Sequence, residues 1–210
     1  MKPDEFLDFY RNARASAILR TDLPHAATPA MEAAIRAGFR VLEFTLTVPQ
    51  ALERISEFAK VKEVVVGAGT VLTPHEAREA VKAGARFLVS PVVDEAVIDE
   101  AKSLNVAVMP GCYTPTELLR AHRAGAPLQK LFPAPEPLPN YIRSVRGPLP
   151  FLRIVPTNGV HENNVAAVLK AGAFAVGFVN NLFDPNDMGQ GRFDRIEQRG
   201  KRMLEATRGA

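Results

Sequence analysis

Short apolar runs alternate with helix-like stretches along the whole chain. Four runs, Ala15–Leu19 and residues 64–66, 106–109 and 151–155, are too short for helices and read as buried strands. Four further segments share one plan: a basic residue (Arg36, Lys82, Arg123 or Lys170), an Ala-Gly step, and then apolar positions. Each reads as a helix end with a glycine just beyond it, followed by a strand. The glycines are Gly38, Gly84, Gly125 and Gly172, spaced by 46, 41 and 47 residues, about twice the length of a single strand–helix unit. Thr73-Pro74-His75-Glu76 and Thr114-Pro115-Thr116-Glu117 are capping boxes that open two of the intervening helices.

Eight strands alternating with helices, without linkers, predict an α/β fold: a single (β/α)8 TIM barrel spanning 1–210, with a short N-terminal helix. An open doubly wound sheet is the alternative. The double-length repeat favours the barrel, whose interior layers draw side chains from alternate strands.

Composition narrows the classes. The 210 residues are 47% hydrophobic, enough for one full core, and 26 basic against 23 acidic residues leave a dispersed charge of +3, so no nucleic-acid partner is expected. A single cysteine, Cys112, excludes a disulfide framework within the chain and fits a reducing cytoplasm. Residues 1–11 lack the apolar core of a secretory signal, and no apolar run reaches the ~18 residues of a membrane span.

One charge sits badly in this pattern. Lys130 lies within Pro127-Leu128-Gln129-Lys130-Leu131-Phe132-Pro133, a short buried strand. A buried lysine is costly unless paired or neutralised, and a neutral amine is a nucleophile. The repeat supplies a partner. Glu43, Val89, Lys130 and Gly177 each stand five residues after their segment's glycine, on the second, fourth, sixth and eighth strands, with one parity. They are expected to form one interior layer in which a lysine and a glutamate meet. A purely structural buried ion pair, or both side chains turned outward against helices, are the competing readings. The chemistry the pair suits is Schiff-base formation with a ketone, followed by metal-independent aldol cleavage with the carboxylate moving protons.

Several motifs extend this pattern. They are Ala17-Ile18-Leu19-Arg20, Val41-Leu42-Glu43-Phe44-Thr45-Leu46, Val66-Gly67-Ala68-Gly69-Thr70-Val71-Leu72, Ser90-Pro91, Met109-Pro110-Gly111 and Lys130-Leu131-Phe132-Pro133. Together, over about residues 17–183, they resemble the class I aldolases of 2-keto-3-deoxy-6-phosphogluconate, 2-keto-3-deoxy-6-phosphogalactonate and 4-hydroxy-2-oxoglutarate. The resemblance implies a cofactor-free barrel lyase, commonly trimeric, that releases pyruvate and an aldehyde. Lys130 becomes the Schiff-base lysine and Glu43 the general acid/base. Thr70 becomes a carboxylate ligand, and Pro91 and Phe132 further substrate-binding candidates. Where phosphogluconate-type members carry an arginine after the glutamate, this chain has Thr47. Arg20, at the end of strand one, matches the phosphogalactonate type and is assigned to the carboxylate with Thr70. The bland alternatives are an exposed strand-end charge for Arg20 and a helix cap for Thr70.

The distal half departs from that family. Asn158 and Gly159 stand where paired glycines are expected after strand seven, and Val179 and Asn180 where glycine and serine are expected after strand eight. Asparagine accepts left-handed backbone and donates hydrogen bonds, so Asn158, Gly159 and Asn180 remain anion-site candidates. The loop beyond Lys130 carries Pro133, Pro135, Pro137 and Pro139. A non-catalytic barrel binding small acids or a protein is therefore kept as the alternative function.

Other candidates are weaker. Gly67-Ala68-Gly69-Thr70 lacks the third glycine of a dinucleotide fingerprint, and its glycines are expected to turn the backbone at the barrel mouth. His25, His75, His122 and His161 have no ligand spacing, so no metal is expected. Cys112 is expected to face the mouth. Arg192, Arg195, Arg199, Lys201 and Arg202 are expected to form a solvated face of a final helix.

Overall fold

The computed structural model describes residues 1–209. Its first half runs α1 (Pro3–Ala13), β1 (Ala15–Leu19), α2 (Pro24–Ala37), β2 (Val41–Thr45), α3 (Ala51–Phe58), β3 (Val65–Gly69), α4 (Pro74–Lys82), β4 (Phe87–Ser90) and α5 (Glu95–Ser103). Its second half runs β5 (Ala107–Cys112), α6 (Pro115–Arg123), β6 (Gln129–Leu131), α7 (Leu138–Arg146), β7 (Ile154–Pro156), α8 (Val165–Lys170), β8 (Val176–Phe178), α9 (Pro185–Gly189) and α10 (Phe193–Arg208). The strands pair in parallel in the order β7-β6-β5-β4-β3-β2-β1-β8. A Thr157–Gly177 bridge and the Phe174 amide, which donates to the Ile154 carbonyl at 2.8 Å, join β7 to β8. This is a (β/α)8 barrel, and the open-sheet alternative is set aside.

The local signals act as expected. Gly38, Gly84, Gly125 and Gly172 all adopt left-handed φ, between +97° and +116°. Both capping boxes close: Glu76 and Glu117 accept from the cap amides of Thr73 and Thr114, whose hydroxyls accept in return. Two apolar compartments result. Ala-rich helix faces pack on the outward strand residues. Inside the barrel, Val41, Val65, Phe87, Ala107, Leu128 and Ala175 meet Phe6, Leu7 and Tyr10 of α1. Phe6 stacks on Phe87 at 4.6 Å, and the Tyr10 hydroxyl shares a 2.8 Å hydrogen bond with Ser16. Helix α1 thus seals the N-terminal end of the barrel, leaving the C-terminal end for chemistry.

Three strand boundaries differ from expectation. β3 continues through Gly67-Ala68-Gly69 rather than turning there. The glycines serve close packing: a β-carbon on Gly67 would lie 2.5 Å from the Phe87 ring, and one on Gly69 would strike Glu43. β5 likewise runs on to Cys112. β7 starts at Ile154, later than the apolar run suggested, because Phe151 is exposed in the preceding turn beside the His122 ring.

The final helix also differs. Arg192, Arg195 and Arg199 converge on Asp187, which is 3% exposed, at 2.8, 3.7 and 2.5 Å; Arg192 and Arg199 are half-buried there, while Arg195 stays exposed as expected. Lys201 and Arg202 do lie outside, paired with Glu197 and Glu162.

Candidate active site

Glu43 and Lys130 meet inside the barrel. Lys130 Nζ lies 4.0 Å from Glu43 Oε1, with Lys130 4% and Glu43 0% exposed. Both point inward, so the outward alternative fails. Val89 lines the same interior, and a β-carbon on Gly177 would meet Ile18 and Thr157, so the four expected layer positions share one facing. The pair forms no hydrogen bond. Both carboxylate oxygens of Glu43 are buried without a partner, as is the Thr157 hydroxyl. A pair built for stability would satisfy those atoms, whereas a site awaiting substrate leaves them free.

Electrostatics push both groups toward neutrality. Burial is the largest influence on Glu43 and raises its pKa, opposed by the charges of Lys130 and Arg20. Burial is also the largest influence on Lys130 and lowers its pKa, opposed by Glu43 and reinforced by Arg20. The lowered Lys130 pKa favours the free amine that nucleophilic attack on a ketone requires.

Two adjoining cavities lie by this pair, the inner one lined by Lys130. The inner one, about 120 Å³, is lined by Lys130, Arg20, Phe132, Asn158 and Asn180, together with Ile18, Thr157 and Val179. The outer one, about 580 Å³, is lined by Arg20, Thr70, Pro91 and Phe132, with Thr21, Asp22 and Thr47. Arg20 and Phe132 border both, and Lys130 Nζ stands 5.3 Å from the Phe132 ring centroid. Thr70 has a left-handed φ of +59° and is not the cap of α4, a place taken by Thr73. Asn158 also adopts left-handed φ, +66°, as its residue type allows.

Of the predicted residues, Gly159 does not line either cavity; a β-carbon on it would lie 3.3 Å from Ala134 Cβ. Glu43 lines neither cavity and contacts Lys130, which lines the inner one. Cys112 is corrected: it packs among the residues beneath the helices, its thiol pushed up to about 12 by burial. Thr157 was missed as a site residue. Its signal was parity, since Val155 faces inward and Thr157 is two residues on. No group of three or more His, Cys, Asp or Glu side chains placed to hold a metal occurs among the described residues.

Known proteins resemble this chain in sequence and fold. The family model for KDPG and KHG aldolases matches residues 8–199. The chain belongs to the KDPG and KHG aldolase family. It is 37% identical over 172 residues to a probable 2-dehydro-3-deoxy-6-phosphogalactonate aldolase of Rhizobium meliloti, covering 80% of this chain and 81% of that protein. It is 31% identical over 188 residues to the KHG/KDPG aldolase of Escherichia coli, covering 89% and 88%. A solved structure described as native KDPGal superposes with a TM-score of 0.84 at 30% identity, over 92% of this chain and 94% of the other. Membership makes the protein an aldolase, a carbon–carbon lyase acting on a small molecule, and sets aside the non-catalytic alternative. No helix among the described residues is long and apolar enough to cross a membrane.

Proposed function

We propose that Lys130 forms a Schiff base with the keto group of a 2-keto-3-deoxy sugar acid, phosphorylated or not, or of a 4-hydroxy-2-oxo acid. The observation that carries this is the buried Lys130–Glu43 contact at 4.0 Å, with both Glu43 oxygens unpartnered. The neutral amine attacks C2 and gives a carbinolamine. Glu43, whose pKa burial raises, donates a proton to the departing hydroxyl, which leaves as water. The iminium draws the C3–C4 bonding electrons, leaving an enamine on Lys130. The Glu43 carboxylate takes the C4 hydroxyl proton as the aldehyde departs. Protonation of the enamine at C3 and hydrolysis return pyruvate and the free amine.

Arg20 and Thr70 hold the substrate carboxylate: a guanidinium fork and a hydroxyl border the outer cavity, and Arg20 also borders the inner one with Lys130. Pro91 and Phe132 form walls. Asn158 and Asn180, with Gly159 shaping the backbone beside them, face the aldehyde-derived half, and the Thr157 hydroxyl is placed to join them. The names of the relatives support phosphorylated sugar acids as substrates, and the family resemblance supports a homotrimer. A cytoplasmic location fits the single unpaired cysteine.

Borohydride reduction in the presence of pyruvate tests the reading. A stable adduct on Lys130, lost in Lys130→Met, is the expected result. No adduct at saturating pyruvate would sink it.

A further inference from the structure

Two loops form the distal wall of the inner cavity, and one side chain fastens them together. Thr157 and Asn158 come from the loop after β7; Val179 and Asn180 come from the loop after β8. Asn181 follows directly, and its Nδ2 donates to the Val160 carbonyl at 2.6 Å. Val160 lies two residues beyond Asn158, so this bond spans the two loops immediately behind their cavity-lining residues.

Each loop is also fixed from its outer side. The Leu182 and Phe183 amides donate to the Val179 carbonyl at 2.9 and 2.8 Å, winding the β8 loop tightly. From α10, Arg199 donates Nη1 to the Leu182 carbonyl at 2.8 Å and Nη2 to Asp187. On the β7 side, Asn164 donates Nδ2 to the Gly159 carbonyl at 2.8 Å and accepts from the His161 amide at 2.9 Å. The Asn181–Val160 bond therefore joins two anchored bodies rather than two free loops. The pyruvate end of the site draws on β6, β2, the end of β1 and the turn after β3, and Arg20 of that end borders the same inner cavity.

We propose that Asn181 is a positioning residue for the aldol reaction, fixing the spacing of the β7 and β8 loops and so the fit of the aldehyde-derived half of the substrate. The role rests on the Schiff-base reading above, which assigns the Lys130 end to pyruvate. It acts on recognition of the full-length substrate and leaves capture of pyruvate untouched. The amide is uncharged, so the fastening holds at any working pH.

The test uses the full chain with Asn181→Asp, which keeps the shape and removes the donor, and Asn181→Ala. KM and kcat are measured for cleavage of 2-keto-3-deoxy-6-phosphogluconate, beside the rate of borohydride trapping with pyruvate. Losing one such bond raises KM about fivefold in both variants, with kcat and trapping rate unchanged. An unshifted KM, or a parallel fall in turnover and trapping, overturns the role of Asn181. Trapping by the unaltered chain separates the two ideas, since its absence overturns the Schiff-base reading itself.

Discussion

Gly69 and Glu43 compete for one space: a β-carbon on Gly69 would lie 2.0 Å from Glu43 Oε1. In the β2–β3 register Glu43 stands opposite Gly67, and Gly69 is two residues nearer the mouth. The carboxylate therefore leans along the barrel toward the substrate end, across ground that β3 leaves bare. Gly69→Ala is expected to displace the carboxylate, costing about 1–3 kcal/mol of stability, and to lower retro-aldol turnover. Chemical denaturation and a coupled pyruvate assay measure the two effects. Unchanged turnover in a folded variant would sink the assignment of Glu43.

The rate of pyruvate trapping should rise with pH through a midpoint below the ordinary lysine value of 10.5, because burial holds the Lys130 amine low. Glu43 opposes that effect, so Glu43→Gln should move the midpoint to lower pH still. A pH profile of trapping in both proteins checks this. An unmoved midpoint would show that Glu43 does not bear on Lys130.

Replacing the buried pair with apolar residues of similar size, Lys130→Met with Glu43→Leu, should abolish activity and leave stability unchanged or raised by about 1–4 kcal/mol. Its pH dependence should flatten as well. Glu43, with its pKa raised above 4.5, contributes stability that is full below 4.5 and lost as pH rises through its folded value. Lys130, lowered from 10.5, contributes stability that is full above 10.5 and lost as pH falls through its folded value. The double variant lacks both limbs. Denaturant titrations across pH would detect them, and a marked loss of stability would mean that the pair is structural.

Asp187→Asn should weaken the fold by about 1–3 kcal/mol, since it discharges a buried carboxylate that arginines contact. The Arg199 hydrogen bond holds the Asp187 pKa below 3.8, so its contribution is present above 3.8 and lost as pH falls through the folded value. The variant should consequently show a shallower acid limb in thermal melts. An identical acid limb would exclude Asp187 from that transition.

Much of this was legible in the sequence for a definite reason. Strand parity is a strict period of two, so Glu43 and Lys130 could be placed face to face from Gly38 and Gly125 alone. Resemblance to a known family then pointed to Arg20, Thr70 and Phe132, which do border the cavities. What escaped notice lacks periodicity. Gly67 and Gly69 carry no side chain, so a strand was read as a turn, although their role was to leave room for Phe87 and Glu43. Phe151 looked like a strand residue because it is apolar, but it packs on His122 from outside. The Asp187–Arg199 and Asn181–Val160 contacts join separate elements, and no local pattern announces them.

Helix α1 makes the barrel a blind well. With Phe6, Leu7 and Tyr10 filling its floor, whatever enters the site must leave by the same opening. Under the proposed chemistry the three-carbon fragment stays covalently bonded to Lys130 after the C3–C4 bond breaks, while the aldehyde is held by no covalent bond. The departure sequence is thereby fixed, aldehyde first and pyruvate last. In product-inhibition kinetics of the cleavage direction, pyruvate should compete with substrate for the empty site, whereas the aldehyde should act on the loaded one and give a noncompetitive pattern.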